Sequence, residues 1–385
     1  MTKSKKIFYW SPHINNHIAT VKAVKNSICS IKKFGNSKYE PIIINVFGEW
    51  NEHKENLDNM DIKYIDLINL NIKLPISGIF KSRLFYILIS IFAFPKLFFV
   101  LKRFQPDYVI AHLIVTPILI ISHFFNKDNV KFILRISGLP SLNLWRKNIW
   151  KFFGKKLHSI TCPTKATKEL LSNSKVFDEN KIFLLEDPIF KMSEIRRAKK
   201  KNFYSKKEKN KLISVGRLTY QKNFELMIKG FSRIKKYYPD YRLTIVGSGE
   251  KKHELKKLLD NLSISNQILI KPFSPNIYDF YLKSEIFIST ALWEDPGFTI
   301  LEAAMFNLTI LTSNCPNGPR EFLNENKRGH GFINGNSDDF EKNLKHILSN
   351  DFNYEDNFKK KTLAKKYCRR FTIFNHFTKF EKILN

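Results

Sequence analysis

The sequence predicts an α/β protein of two doubly wound domains, each a parallel sheet flanked by helices, and three observations carry that expectation. The chain has 385 residues, more than one hydrophobic core usually supports. Short apolar runs alternate with longer helical patterns, the rhythm of βαβ units. That rhythm stops once, in a charged stretch near the middle, and then starts again.

In the first half the strand-like runs are Ile7 to Trp10, Ile42 to Phe47, Tyr108 to Ala111, Phe132 to Ile136 and Ser159 to Cys162. Near Leu185 to Ile189 the alternation ends, and Arg196 to Lys211 is charged and free of core-like periodicity, so it reads as a linker. A second series follows: strands at Leu212 to Val215, Arg242 to Val246, Gln267 to Ile270, Ile286 to Ser289 and Thr309 to Thr312, with helices at Asn223 to Lys236 and Lys251 to Leu262. Phe371, Phe374, Phe377, Phe380 and Leu384 recur every three or four positions and predict a closing amphipathic helix. The expected division is a first domain over 1–195, a linker over 196–210, a second domain over 211–365 and a terminal helix over 366–385.

Hydrophobic residues at 43% and aromatics at 14% exclude a disordered chain. The net charge of +30 favours anionic partners, whether a phosphate-bearing ligand, acidic lipid or nucleic acid, and a general bias toward Lys, Ile, Asn and Phe is the plainer explanation of the same excess. Cys29, Cys162, Cys315 and Cys368 have no metal-like spacing, which suits a reduced, cytoplasmic protein, and the N-terminus shows no signal peptide. Leu84 to Leu101 is apolar enough to suggest a membrane span, but Pro95 and Lys96 interrupt it. A helix lying on a bilayer and a buried or interdomain helix both remain open.

Three motifs carry chemistry. In Trp293-Glu294-Asp295-Pro296-Gly297-Phe298-Thr299-Ile300-Leu301-Glu302, a strand-to-helix turn sets Glu294 in the loop and Glu302 one to two turns into the helix. Backbone N–H groups of Phe298 and Thr299 at such a helix start can receive phosphate oxygens, while carboxylates accept from ribose and sugar hydroxyls. The plainer alternative is a helix-start glutamate and an exposed helical one. In Val215-Gly216-Arg217-Leu218-Thr219-Tyr220-Gln221-Lys222, Arg217 offers a planar fork and Lys222 a point charge beyond a strand end, a pair suited to a diphosphate or simply solvated. Gly247-Ser248-Gly249 is a glycine turn that only partly resembles a dinucleotide fingerprint.

In the first half, His112 follows an apolar strand, where a strand cap and a catalytic group are both readable. His13, Asn15 and His17 lie in a polar loop after the first strand that can contact a ligand or be only a loop. No phosphate-binding Gly-x-x-x-x-Gly-Lys loop, no Gly-x-Ser-x-Gly elbow and no His-Glu-x-x-His pair is present, which removes ATPase, serine hydrolase and zincin readings. Nor is there an Asp-x-Asp pair to clamp a metal on a diphosphate, so no metal and no cofactor is expected.

The stretches GRLTYQKN, IVGSGE and EDPGFTILEAA, in that order, resemble the family-4 retaining glycosyltransferases of the GT-B fold, two Rossmann-like domains facing a central cleft. The likeness is good from Lys211 onward and looser before it. It implies that Gly216, Arg217 and Lys222 hold the donor diphosphate with the backbone of Gly297, Phe298 and Thr299, that Glu302 holds the ribose, and that Glu294 engages the transferred sugar. Asp107 to His112 matches the last position of a family strand, which makes His112 the candidate to contact the donor sugar. The first domain would be the acceptor side and the final helix would cross back to it. Arg135 and Ser137, in a segment like that of bacterial members assembling lipopolysaccharide, O-antigen or lipid-linked oligosaccharides, are acceptor or cleft candidates, as are His13, Asn15 and His17. Two departures touch acceptor recognition: the first loop lacks a two-glycine turn, and Ser137-Gly138 stands where His-Gly is common.

The resemblance implies transfer of a hexose or N-acetylhexosamine from a nucleotide diphosphate sugar, UDP-linked, to a lipid-linked saccharide or a lipopolysaccharide or O-antigen acceptor, in the cytoplasm or peripherally at the inner face of the membrane. A sugar-nucleotide epimerase is the rival enzyme. A basic nucleic-acid-binding protein is the rival of another class, weakened because the cations are spread along the chain with no recognition module.

Overall fold

Each half of the chain winds its strands into one parallel sheet, and the strand order of each sheet is dictated by helical crossovers on both faces. The computed structural model describes residues 4–12, 18–68, 79–126, 129–201 and 208–385. They form two compact units, one of residues 1–189 with 371–385 and one of 190–370.

Unit 1 contains β1 (Lys5–Trp10), β2 (Tyr39–Asn45), β3 (Lys63–Asp66), β4 (Tyr108–His112), β5 (Lys131–Arg135), β6 (Ser159–Cys162) and β7 (Ile182–Leu184). They run parallel in the order β3-β2-β1-β4-β5-β6-β7. Successive residues alternate between two buried faces: Phe8, Trp10, Val109 and Ala111 lie in one cluster, Ile7, Tyr9, Tyr108 and Ile110 in another. That double burial is why these strands read as unbroken apolar runs.

The second cluster is closed by Phe377, Phe380, Ile383 and Leu384 of the helix Ile373–Leu384. Its His376 is buried, with Nδ1 2.8 Å from the Glu186 carbonyl and Nε2 3.0 Å from Ser27 Oγ. A carbonyl only accepts, so Nδ1 carries the proton, Ser27 donates to Nε2, and the Tyr9 hydroxyl, 3.0 Å away, donates to Ser27. Ile189, where the chain leaves unit 1, donates its N–H to the carbonyl of Phe371, where it returns, at 2.8 Å.

Unit 2 contains β8 (Lys211–Val215), β9 (Arg242–Val246), β10 (Ile268–Lys271), β11 (Ile286–Ser289), β12 (Thr309–Ser313) and β13 (His330–Phe332), parallel in the order β10-β9-β8-β11-β12-β13. Numbered from β8, this is the 3-2-1-4-5-6 order of doubly wound nucleotide-binding sheets, with its switch point between β8 and β11.

Two expectations differ from the structure. The units part after Ile189, not Ile195, and no linker occupies Arg196 to Lys201: these residues continue a helix, Met192–Lys201, that belongs to unit 2. Ile195 is its buried anchor, Lys199 lies over the Phe306 ring and Lys201 pairs with Asp279, so charge on this helix marks a solvated outer face. Residues 202–207 fall outside the described residues. Pro95 does not interrupt the apolar stretch either; the helix runs Ile79–Phe104 with Pro95 on its exposed side, where water can take the carbonyl that proline leaves unbonded. Among the described residues no helix is long and apolar enough to cross a membrane.

Candidate active site

The switch point of unit 2 brings the loops after β8 and β11 side by side. They are fastened by hydrogen bonds: the Thr290 hydroxyl donates to the carbonyls of Lys222 (3.1 Å) and Asn223 (2.9 Å), and Leu292 N–H donates to the Gln221 carbonyl (2.8 Å). Gln221 Nε2 returns a bond to the Trp293 carbonyl at 2.8 Å, and its Oε1 accepts from Arg217 at 3.3 Å. Exposed Tyr220 and Trp293 add a ring contact at 6.2 Å.

Held this way, the Lys222 ammonium forms an ion pair with the Glu294 carboxylate, and only 13% and 11% of the two side chains is exposed. A Cβ on Gly216 would stand 3.1 Å from Lys222 Cε, so glycine there makes room for the lysine stem. Because Glu294 cancels the charge of Lys222, exposed Arg217 supplies the net positive charge of this cluster. Cys315 lies within electrostatic reach of the pair, but burial pushes its thiol up to about 11 and keeps it protonated.

The Glu294 loop is shaped from beneath by Asn317 and Gly318. Glu294 bridges to Asn317, and Gly318 N–H donates to the Glu294 carbonyl at 3.1 Å. A Cβ on Gly318 would lie 2.0 Å from the Pro296 carbonyl oxygen, so only glycine allows this approach. Gly297, at φ +84°, turns the chain into the helix Phe298–Met305. The N–H groups of Phe298 and Thr299 then stand in the first turn, without intrahelical acceptors and at the positive end of the helix dipole. Glu302 is buried on this helix, and the Tyr281 hydroxyl donates to its Oε2 at 3.3 Å. Burial and the neighbouring carboxylate push the tyrosine hydroxyl well up, so it stays a donor.

The turn Gly247-Ser248-Gly249 packs on backbone instead of opening as a phosphate cradle. A Cβ on Gly247 would come 1.8 Å from the Gly216 carbonyl oxygen, and Leu218 N–H donates to the Ser248 carbonyl at 2.9 Å.

In unit 1, His112 ends β4 directly opposite Arg135 at the end of β5. His112 is buried with Nδ1 3.0 Å from Ser11 Oγ, and buried Arg135 is ion-paired with Asp187. Ser137 is exposed. His13, Asn15 and His17 lie outside the described residues. The sequence alone does not single out Tyr281 or Thr290, and it marks Gly318 only through the likeness of Asn314 to Glu321 to bacterial family members.

A carboxylate-cation pair and a glycine-started helix lie at the switch point of a 3-2-1-4-5-6 parallel sheet, an arrangement chemically suited to an anionic nucleotide ligand. Residues 195–365 match the family described as glycosyl transferases group 1. An uncharacterized glycosyltransferase of Methanocaldococcus jannaschii is 28% identical over 311 residues, 76% of this chain and 73% of the relative. The N-acetylgalactosamine-N,N'-diacetylbacillosaminyl-diphospho-undecaprenol 4-alpha-N-acetylgalactosaminyltransferase of Campylobacter jejuni is 28% identical over 140 residues, 36% of this chain and 38% of the relative. The crystal structure of HepE from Anabaena in complex with UDP and glucose superposes with a TM-score of 0.69 at 13% identity, covering 99% of both chains. The two doubly wound domains are those of the GT-B fold, as expected.

Proposed function

We propose that the chain moves a hexose or N-acetylhexosamine from a UDP-linked sugar to a saccharide carried on a lipid, with retention at the anomeric carbon. The observation that carries the reading is the Lys222–Glu294 pair at the switch point, beside the helix that Gly297 starts. As the bond to the sugar breaks, negative charge develops on the leaving diphosphate. Lys222, Arg217 and the N–H groups of Phe298 and Thr299 stabilise that charge, and a preorganised donor set of this kind is worth about 3 kcal/mol per group. Glu302, oriented by Tyr281, accepts from the ribose, and Glu294 accepts from the transferred sugar. By the likeness of the Asp107 to His112 strand we assign His112 to the sugar, and Arg135 and Ser137 to the acceptor. The chain's own cations serve the diphosphate, so the reaction is metal-independent and a chelator leaves turnover unchanged.

UDP as the carrier is supported by the ligand of the Anabaena neighbour, and a lipid-linked acceptor by the diphospho-undecaprenol in the name of the Campylobacter relative. The same reading puts the chain in the cytoplasm at the inner membrane face. A screen of nucleotide sugars by thermal shift tests it, because a ligand at 100 times its dissociation constant adds about 2.7 kcal/mol of stability. No shift with any UDP sugar would sink the donor assignment. Incubation with the donor alone should yield no epimer, which separates transfer from epimerisation.

A further inference from the structure

Unit 1 carries an apolar face that its own core does not use. On the helix Ile79–Phe104, Ile89, Ala93, Leu97 and Leu101 are buried at a spacing of one turn. The other side exposes Ile87, Ile91, Phe92 and Phe99, each by more than half. The face continues through aromatic contacts: the Phe98 ring lies 5.9 Å from Phe99 and 5.8 Å from Phe124, and His123 stacks on Phe152 at 5.8 Å. Phe152 lies in the last turn of the helix Leu144–Phe153, which Asn143 caps and whose first residues, Leu144 and Trp145, are 78% and 81% exposed. Isolated exposed apolar residues need no explanation, but a connected series of this length does.

Charge selects the occupant. Lys96, Lys102 and Arg103 are exposed on the first helix, Arg146, Lys147 and Lys151 on the second. Asp107 and Asp128 are the only acidic residues between Leu67 and Lys168. A second copy of a chain at +30 would press like charge on like charge. Aromatic side chains ringed by cations instead match a bilayer interface, where rings sit at head-group depth and cations meet lipid phosphates.

We infer that this face docks unit 1 on an anionic phospholipid bilayer, with Phe99, Phe124, Trp145 and Phe152 entering the interface and Lys96, Lys147 and Lys151 on its head groups. Leu144 follows the loop that leaves the carboxyl end of β5, beside His112 on β4, so the docked face continues into the edge where a lipid-borne acceptor is needed. The inference deepens the proposed function and rests on it for that acceptor, while membrane binding itself is measured without turnover.

The test sediments the full chain with vesicles of phosphatidylglycerol and phosphatidylcholine in equal parts, and with phosphatidylcholine alone. The chain should pellet with the anionic vesicles, and a Trp145→Ser/Phe152→Ser double variant should lose at least about tenfold in partition coefficient. Both side chains are exposed, so an unchanged melting temperature and an unchanged UDP-sugar shift should certify the fold of the variant. Wild-type chain left in the supernatant, or a double variant that binds like wild type, would overturn the inference. So would a lipid-free dimer that the double variant dissolves. Vesicle binding without any nucleotide-sugar shift would instead count against the donor reading and leave the docking face standing.

Discussion

Lys222 and Glu294, 72 residues apart in sequence, are ion-paired because β8 and β11 are neighbours at the switch point of one sheet. Neither loop positions its charge alone. Thr290 and Gln221 tie the two loops backbone to side chain, so the pair is preorganised before any ligand arrives. With so little of either side chain exposed, each charge depends on the other, and the site cannot lose one without stranding its partner.

Lys222→Ala should therefore fail twice. The stranded Glu294 carboxylate should cost about 3 kcal/mol of stability, read by urea unfolding. Turnover should fall about 100- to 1000-fold, read by single-turnover kinetics with saturating donor. Adding Glu294→Gln removes the stranded charge and should recover most of the stability and none of the turnover. A double variant recovering both would show that the pair serves the fold alone.

Tyr281→Phe keeps the buried ring and removes only the hydroxyl that donates to Glu302. The loss should be about 1 kcal/mol in stability. If Glu302 holds the ribose, the donor KM should rise roughly fivefold, about 1 kcal/mol, with kcat nearly unchanged, because the ribose contact is equal in ground and transition states. A fall in kcat at constant KM would move Glu302 to the reacting centre.

Much of this site was legible because local chemistry marked it. Glycine at 216, the cations at 217 and 222, and glycine at 297 after an apolar run are short-range signals. The central strands were equally readable, being buried on both faces. The edge strands β3, β7 and β13 were not: β3 reads Lys-Tyr-Ile-Asp with exposed ends, and β7 and β13 are three residues each, too short for a pattern. The membership of Met192–Lys201 in unit 2 rests on one buried isoleucine among lysines. Tyr281 was invisible as a partner of Glu302 because a buried tyrosine reads as core, and its hydroxyl is aimed by how the helices Ile277–Lys283 and Phe298–Met305 dock.

Gly318→Ala tests the floor under Glu294. The new Cβ would overlap the Pro296 carbonyl oxygen, a backbone atom that no rotamer change can move, so the 295–297 turn must shift. Stability should fall by about 1–3 kcal/mol, and kcat/KM more than about tenfold because the Glu294 loop moves with it. Gly216→Ala is the comparison: its Cβ meets only the flexible stem of Lys222, so the stability loss should be smaller while the lysine is still displaced. Equal stability losses in the two variants would contradict the backbone contact.

His376 makes the stability of unit 1 depend on pH. Burial pushes its imidazole down to about 3, with Arg135 and Lys379 adding to the same direction and the Glu186 carbonyl opposing it. The unfolded chain binds a proton near pH 6.5 that the folded chain refuses until about pH 3. Stability is therefore complete above pH 6.5 and is lost as pH falls, by about 1.4 kcal/mol per pH unit from this one group. His330 in unit 2, pushed down to about 4 chiefly by burial, acts with the same sign over a narrower window. His376→Gln can still donate to Glu186 and accept from Ser27 without titrating. Urea unfolding between pH 6 and pH 4 should show a slope shallower by about 1.4 kcal/mol per unit in that variant. An unchanged slope would mean that His376 is protonated in the folded chain, with Ser27 accepting from both nitrogen and tyrosine.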